Sequence, residues 1–507
     1  MRITRHPLAL LAASGVLAAA PLVFPPLFVL SFFGAGGAYL ALRNIIDKKH
    51  LYAKGLLFFA CFNLPVYSFF LWMHPLDFAG FSRPASLALL IFAVIGISAI
   101  HSAVQAVIFP LSALISKKKP SPSLAPVFAS LWVLSEWLLE QGALGFPWNR
   151  IAMGQYLFKP FIGSASLFGS LFVSFLVILI PSLTAEAITQ KSVRVGAVPC
   201  LILAADLIFG AVYSVPVTGS LTVAAVQANV GSGDKWEDGS FEKIVNDHVA
   251  LSREASGSDV IFWPESAVPV DLGINPSWES LYTSLSEELD APILAGTLVT
   301  KDGESKNCVA YFDENGIFNL YAKRHLVPFG EYLPAEELLR SVLPFLSQLN
   351  LFSSPFTPGP DAAVAEVRGV KIGSLVCFDS AFSSLAADSA KNGAQLLFLA
   401  TNDSWYKDSP ACTQHLAQSV FRAVENRRSV VIAANTGISA IIDPDGGIAA
   451  SLAPLTAGTL TGEAKLCDAN TLYTYAGDVP VLTGALVILA VCGILSRKGK
   501  SAKGGEE

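Results

Sequence analysis

The sequence predicts a polytopic α-helical membrane domain of about eight spans joined to a single α/β domain outside the bilayer. Three observations predict it. Hydrophobic residues make up 52% of the 507-residue chain and charged residues only 15%, against about 25% charged residues in an ordinary soluble domain. A mean hydropathy of +0.52 is more apolar surface than a soluble chain of this length can bury. The apolar character is also uneven. Span-length stretches fill the first 215 residues and recur at the C-terminal end, and the region between them alternates β-rich and helical patterns.

A spanning helix needs about 20 mostly apolar residues. Such stretches lie near 8–23, 25–42, 55–73, 87–114, 124–140, 161–181, 195–215 and 479–496. Pro21, Pro25 and Pro26 blur the first boundary, and Glu136 lies inside the fifth stretch. Residues 8–20, with Arg2 and Arg5 ahead and Ala18, Ala19 and Ala20 at the end, also fit a cleaved signal. The spans that follow at once favour a first membrane helix. Basic residues orient the set. With the N-terminus inside, Arg2, Arg5, Arg43, Lys48, Lys49, Lys54, Lys117, Lys118, Lys119, Lys191 and Arg194 all fall in the cytoplasm, together with the RKGKSAK tail. Short outside loops keep only Arg83, Arg150 and Lys159. The expected organisation is a membrane domain with seven helices at 1–215, an outside domain at 216–478, and a last helix with a cytoplasmic tail at 479–507. In a bacterium with two membranes the outside domain lies in the periplasm.

From Leu221 the texture changes. LTVAAVQAN, DVIFWPE, APILAGTLV, CVAYFD, IFNLYAKR, KIGSLVCFD, QLLFLATND, SVVIAAN and ISAIID read as buried strands. Helical patterns lie near 240–254, 277–288, 382–392 and 411–427. Strands alternating with helices predict an α/β layer fold. The net charge of −6 gives no basic footprint for nucleic acid. The seven cysteines are scattered, with no CxxC or Cys/His spacing, so neither a metal site nor a disulfide framework is indicated.

Three of the apolar runs end abruptly in reactive groups. GSLVCFD delivers Cys377, VIFWPES delivers Glu265, and YAKRHLVPFGEYLP delivers Lys323 and then Glu331. A free thiol has a pKa near 8.5 and is mostly protonated at neutral pH. A neighbouring carboxylate can take its proton, and an ammonium can bind the oxyanion of a tetrahedral intermediate. Glu, Lys and Cys therefore form a set for acyl transfer through a thioester, with no metal or cofactor. Taken singly, each residue has an ordinary reading: Cys377 as a small buried side chain, Glu265 as a turn or cap, Lys323 as part of a solvated face beside Arg324.

Several other residues have two readings. Trp236, in NVGSGDKWEDG, and Trp405 with Tyr406, after TND, could line an acyl-chain groove or serve ordinary packing. Asn402 could donate near a thioester or stabilise a turn. His325 is placed on the face opposite Lys323 by strand alternation, His415 reads as structural at the start of a helix, and Cys412 as a bystander. Glu136 and Trp148 fit the protein interior or the outer interface.

The order WPESAVP (263–269), YAKRHLVPFGEYLP (321–334), CFDSAF (377–382) and TNDSWYKDSPACTQH (401–415) resembles the nitrilase superfamily. It is most similar to the membrane branch of that superfamily, the apolipoprotein N-acyltransferases. SEWLLEQGALGFPWNRIAMGQ (135–155) and TLYTYAGDVP (471–480) extend the likeness over nearly the whole chain. The resemblance implies an α-β-β-α sandwich, with Glu265 as general base, Lys323 as oxyanion ligand, Cys377 as nucleophile and Glu331 as a second carboxylate that orients the lysine or the amine. It also implies a phospholipid acyl donor, phosphatidylethanolamine, and as acceptors lipoproteins whose N-terminal cysteine carries a diacylglyceryl group. Where the family often has Tyr-Glu after the cysteine, this chain has Phe378-Asp379. Asp379 is expected in the site, with a solvated strand-end carboxylate as the other reading. Two rivals stand beside acyl transfer: a membrane-tethered C–N hydrolase using the same three residues, and a non-catalytic domain that keeps the fold.

Overall fold

The computed structural model describes residues 6–76, 80–118, 121–231, 233, 235, 240–337, 341 and 356–501. Nine helices form the N-terminal bundle: α1 (Pro7–Val23), α2 (Leu30–Ile45), α3 (Leu51–Tyr67), α4 (Arg83–Ala106), α5 (Ile108–Ile115), α6 (Leu124–Leu138), α7 (Lys159–Ile162), α8 (Ala165–Gln190) and α9 (Val193–Val212), among the described residues. Among the described residues, five stretches are long and apolar enough to cross a membrane: Leu51–Met73, Arg83–Ile115, Ala165–Gln190, Val193–Val212 and Val479–Ser496. The other three expected spans are the shorter helices α1, α2 and α6. Prolines explain the first boundary. Pro25 and Pro26 open a 3-10 turn, Pro25–Leu27, which separates α1 from α2. Without a hydrophobic drive between helices in lipid, the bundle packs through small residues. At Gly34 a Cβ would collide with the backbone of Ser14 and Ala18 on α1. Phe58, Phe59, Phe62, Phe109, Phe128 and Trp132 fill the centre beside them, all buried.

The α/β region carries β1 (Gly219–Gln227), α10 (Ser240–Glu254), β2 (Val260–Trp263), α11 (Glu279–Leu289), β3 (Ile293–Lys301), β4 (Glu304–Asp313), β5 (Gly316–Ala322), β6 (Val364–Val367), β7 (Val370–Val376), α12 (Ser383–Lys391), β8 (Leu396–Thr401), α13 (Pro410–Asn426), β9 (Ser429–Ala434), β10 (Ala440–Ile442), β11 (Ile448–Ser451) and β12 (Gly458–Leu466). A short α14 (Leu472–Ala476) leads into α15 (Val479–Ser501), the last apolar helix. Among the described residues the strands form two six-stranded sheets, ordered β12-β1-β2-β3-β4-β5 and β11-β10-β9-β8-β7-β6. β1, β2 and β3 pair in parallel, as do β7, β8 and β9. β6, β11 and β12 have no counterpart in the sequence reading. β6 and β11 hold four residues each, and β12 is broken by glycines and charged positions.

The two sheets pack face to face over one apolar core, with Phe262 and Phe398 ring centroids 4.4 Å apart. α10 and α11 cover the outer face of the first sheet. α12 and α13 cover the second, and their far side shares a core with the helical bundle. The order of layers is therefore helix, sheet, sheet, helix, membrane bundle. α13 is enclosed on both sides, which accounts for the burial of Gln414, His415, Gln418, Arg422, Glu425 and Asn426. Buried polar groups need partners, and Gln414 and Glu425 find theirs across the joint. Trp148 Nε1 donates to Gln414 Oε1 at 2.6 Å, and Gln414 Nε2 donates to the Leu22 and Val66 carbonyls at 2.9 and 3.3 Å. The C-terminal ends of α1 and α3 thus meet the α/β layer. On the opposite side of the bundle, Arg43 pairs with Glu186 at 2.7 Å.

Candidate active site

The site is built at strand ends. β2 stops at Trp263, two residues before Glu265, β5 stops at Ala322, one before Lys323, and β7 stops at Val376, one before Cys377. β2 and β5 run the same way in one sheet, because two antiparallel pairings separate β5 from β3. The facing sheet brings β7 to the same edge.

Lys323 is 1% exposed, and its Nζ lies 2.8 Å from Glu331 Oε1 and 3.7 Å from Glu265 Oε1. Burial alone would discharge it; the carboxylates Glu331 and Glu265 outweigh that and hold it above the ordinary lysine range. Glu331 also accepts the Val327 N–H at 2.8 Å, so the PFGE turn delivers its carboxylate in a fixed pose. Glu265 accepts from Asn307 Nδ2 at 2.6 Å, and its charge acts on the Cys377 thiol. Burial pushes Glu265 above the usual carboxylate range, with Lys323 drawing it down and Glu331 adding to the rise. Burial likewise pushes the Cys377 thiol well up, and the Glu265 charge adds to it. The resting pair is a neutral thiol beside a base, rather than a preformed thiolate. The four groups suit acyl transfer with the proton removed during attack.

Cys377 has φ +47° and opens a 3-10 turn, Cys377–Ala381. Phe378 leaves that turn toward the membrane bundle. It stacks on Phe146 at 5.2 Å and on Trp148 at 6.2 Å, where a tyrosine hydroxyl would enter an aromatic cluster. Asp379 is fully buried and accepts from Tyr321 Oη at 2.7 Å, Val376 N at 3.1 Å, His325 N at 2.8 Å and Arg324 N at 3.2 Å. It is not a solvated carboxylate. It ties the cysteine turn to the segment that follows Lys323.

The remaining expectations divide. Asn402 Oδ1 accepts from Asn435 Nδ2 at 3.0 Å and from Ser404 N at 3.4 Å, which is a turn-stabilising role. Trp405 is half-buried in the 3-10 turn Ser404–Tyr406, and Tyr406 packs edge-on against Phe69 of the bundle at 5.3 Å. Trp236 lies outside the described residues. Glu136 and Trp148 are both buried. His325 does stand apart from the chemistry, for a different reason than strand alternation: β5 has already ended, and the ring stacks on Phe382 at 3.7 Å.

The sequence reading missed four residues. Asn307, on β4, bridges Glu265 and Glu331 through one amide at 2.6 and 3.3 Å. Its place one strand from Lys323 is a product of sheet pairing. Lys235 is buried and donates from Nζ to the Ser266 carbonyl; burial lowers it to about 8, and Glu265 opposes the fall. His415, read as structural, lies 3.1 Å from the Cys377 carbonyl through Nε2, and Asp403 lies 3.0 Å from its Nδ1. The QH pair in ACTQH was the signal available for it.

Fold and site together define a membrane-anchored enzyme with a carbon–nitrogen hydrolase type of catalytic domain. Residues 222–472 match the carbon-nitrogen hydrolase family, and residues 14–183 match the apolipoprotein N-acyltransferase N-terminal domain. An apolipoprotein N-acyltransferase of Geobacter metallireducens is 33% identical over 393 residues, covering 73% of this chain and 74% of that protein. The enzyme of the same name from Pseudomonas aeruginosa is 29% identical over 510 residues, covering 96% of each. Among solved structures, Nit3 of Saccharomyces cerevisiae, a nitrilase superfamily member, superposes with a TM-score of 0.38 at 17% identity over 53% of this chain and 97% of that one. This chain belongs to the apolipoprotein N-acyltransferase family.

Proposed function

We propose that the protein transfers a fatty acyl chain from a membrane phospholipid, through a Cys377 thioester, to the N-terminal α-amine of a lipoprotein. The acceptor cysteine already carries a diacylglyceryl group, and phosphatidylethanolamine is the donor. Glu265 takes the thiol proton as Sγ attacks the ester carbonyl. The C–S bond forms, the ester C–O bond breaks, and Glu265 returns the proton to the departing lyso-lipid oxygen. Lys323 steadies the oxyanion in both steps. The lipoprotein amine then attacks the thioester, the C–N bond forms and the C–S bond breaks. Glu265 carries the amine proton to the leaving thiolate. Glu331 and Asn307 hold Lys323 and Glu265 in place, and Asp379 holds the cysteine turn.

The observation that carries this reading is the position of the cluster. Cys377 follows a strand of the sheet nearer the membrane bundle, and the residue next to it, Phe378, stacks into the bundle's aromatics. The Tyr332 hydroxyl bonds the Ala143 carbonyl between α6 and α7, and the exposed apolar side chains Phe329 and Leu144 flank that joint. A lipid approaching sideways from the bilayer meets apolar surface at this edge. By the charge bias of the loops, the α/β domain faces the periplasm and both termini the cytoplasm. The bundle's structure supports a common side for the basic ends, since Arg43 and Glu186 meet away from the α/β layer.

Incubating the purified protein with labelled phosphatidylethanolamine and a diacylglyceryl peptide tests the proposal. The expected result is one fatty acyl group on the Cys377 peptide, removable by hydroxylamine, and passage of the label to the peptide amine. Release of free fatty acid or ammonia without an acylated peptide assigns the site to hydrolysis instead.

A further inference from the structure

Cys377 occupies the left-handed region at φ +47°, a conformation that is strained for a non-glycine residue and persists only where its surroundings fix it. One peptide further back, the Leu375–Val376 unit is held by the Val376 N–H, which donates to Asp379 Oδ2 at 3.1 Å. The peptide after Cys377 is fixed by a group with no part in the steps above. His415 Nε2 lies 3.1 Å from the Cys377 carbonyl. A carbonyl only accepts, so Nε2 carries a proton. His415 Nδ1 lies 3.0 Å from Asp403 Oδ1, which also accepts from the Thr401 hydroxyl at 3.3 Å. Asp403 and His415 are 3% and 4% exposed, so this pair is shut off from water. Trp148 of the membrane domain covers the ring at 5.8 Å and limits its tilt.

A proton on both ring nitrogens satisfies both contacts and gives the ring a positive charge. Burial opposes that charge. The Asp403 carboxylate and the Cys377 carbonyl outweigh the burial and hold His415 above its ordinary range. A charge-assisted bond to the nucleophile's own carbonyl is stronger than a neutral one.

We propose that Asp403 and His415 form a positioning dyad, in which the His415 Nε2–H locks the Cys377–Phe378 peptide plane and so aims the strained thiol at the ester carbon. The proposal rests on the reading of Cys377 as the acylated nucleophile. Neither member touches the substrate. Asp403 fixes the ring, the ring fixes the peptide, and the peptide fixes χ1 space for Sγ. The same peptide leads into Phe378, so the aim of the sulfur is referenced to the membrane aromatics Phe146 and Trp148.

The test uses the full-length protein with labelled phosphatidylethanolamine, following single-turnover acylation of Cys377 by intact mass. Glutamine places its amide near the Nε2 position and keeps the donor, whereas asparagine stops near Nδ1. His415→Gln is expected within about tenfold of the wild-type rate, and His415→Asn and His415→Ala about 10²-fold slower, as for a misplacement of about 1 Å. The half-saturating lipid concentration is expected to stay within about threefold, because ground-state binding is untouched. Equal rates for His415→Gln and His415→Asn, or a wild-type rate for His415→Ala, overturn the dyad. If His415→Ala does not fold, the glutamine–asparagine comparison decides alone. A wild-type protein that forms no Cys377 adduct removes the nucleophile assignment itself, and the dyad with it.

Discussion

Glu265 and Cys377 sit side by side with both of their neutral forms favoured by burial. That pairing fixes the expected pH behaviour. As a base, Glu265 works only when ionised, and its carboxyl is held above the usual glutamate value of about 4.3. Acylation should therefore be lost as pH falls through that raised value, with the acidic limb of the rate profile displaced upward. A limb at the ordinary carboxylate position contradicts the assignment. Glu265→Gln should slow thioester formation by about 10²–10⁴-fold, the usual range for a lost general base, with the fold intact by circular dichroism. The raised thiol gives a second expectation. Iodoacetamide should label Cys377 slowly at pH 7 and faster as pH rises, since the thiolate is the reactive form. Fast labelling independent of pH points to a resting ion pair with Lys323.

α8 is interrupted at Gly169, with φ +78° and ψ 176°. The break frees the Ser170 N–H, which donates to Glu425 Oε1 of α13 at 2.9 Å. Glu425 also accepts from Ser383 Oγ at 3.2 Å and pairs with Arg422 at 2.7 Å, and Arg422 Nη1 reaches the Ser380 carbonyl at 2.8 Å. On the membrane side, Arg150 binds Ser170 Oγ and Glu140, both at 2.7 Å. The break in one membrane helix is thus wired to the turn that begins at Cys377. An alanine at 169 would collide with the Tyr473 ring as well as resist the positive φ. Gly169→Ala is expected to destabilise the protein by about 1–3 kcal/mol, read as a lower melting temperature in detergent. An unchanged melt means that the break relaxes without cost.

At the scale of the whole molecule, α13 belongs to both halves. One face packs on the second sheet and the other enters the core shared with the helical bundle. Residues 216–478 expressed without the bundle would expose that face, with buried Glu425 and Gln414 stripped of partners across the joint. Uncompensated buried polar groups cost about 1–3 kcal/mol each when their partners go. The fragment is expected to aggregate or to bind a hydrophobic dye, and to form no acyl adduct. A soluble, monomeric fragment that acylates at Cys377 would show that the bundle serves only as an anchor.

The sequence by itself determined the membrane class, the α/β texture between spans, and the strand-end groups Glu265, Lys323, Glu331 and Cys377, because hydropathy and strand periodicity are local properties written along the chain. The short strands β6 and β11 escaped it, since pairing across a sheet rather than propensity makes them strands. Tertiary structure alone decided that Asp379 is a buried tie rather than a solvated end, and that Asn402 stabilises a turn. It alone brought Asn307 and Lys235 to the segment around Glu265, and Asp403 with His415 to the Cys377 carbonyl. Each of these depends on which strands become neighbours and on a helix enclosed between a sheet and a membrane bundle. A polar residue such as His415 looks the same in sequence whether it faces water or the carbonyl of the reactive cysteine. Only the packing of distant segments removes the water and assigns it a partner.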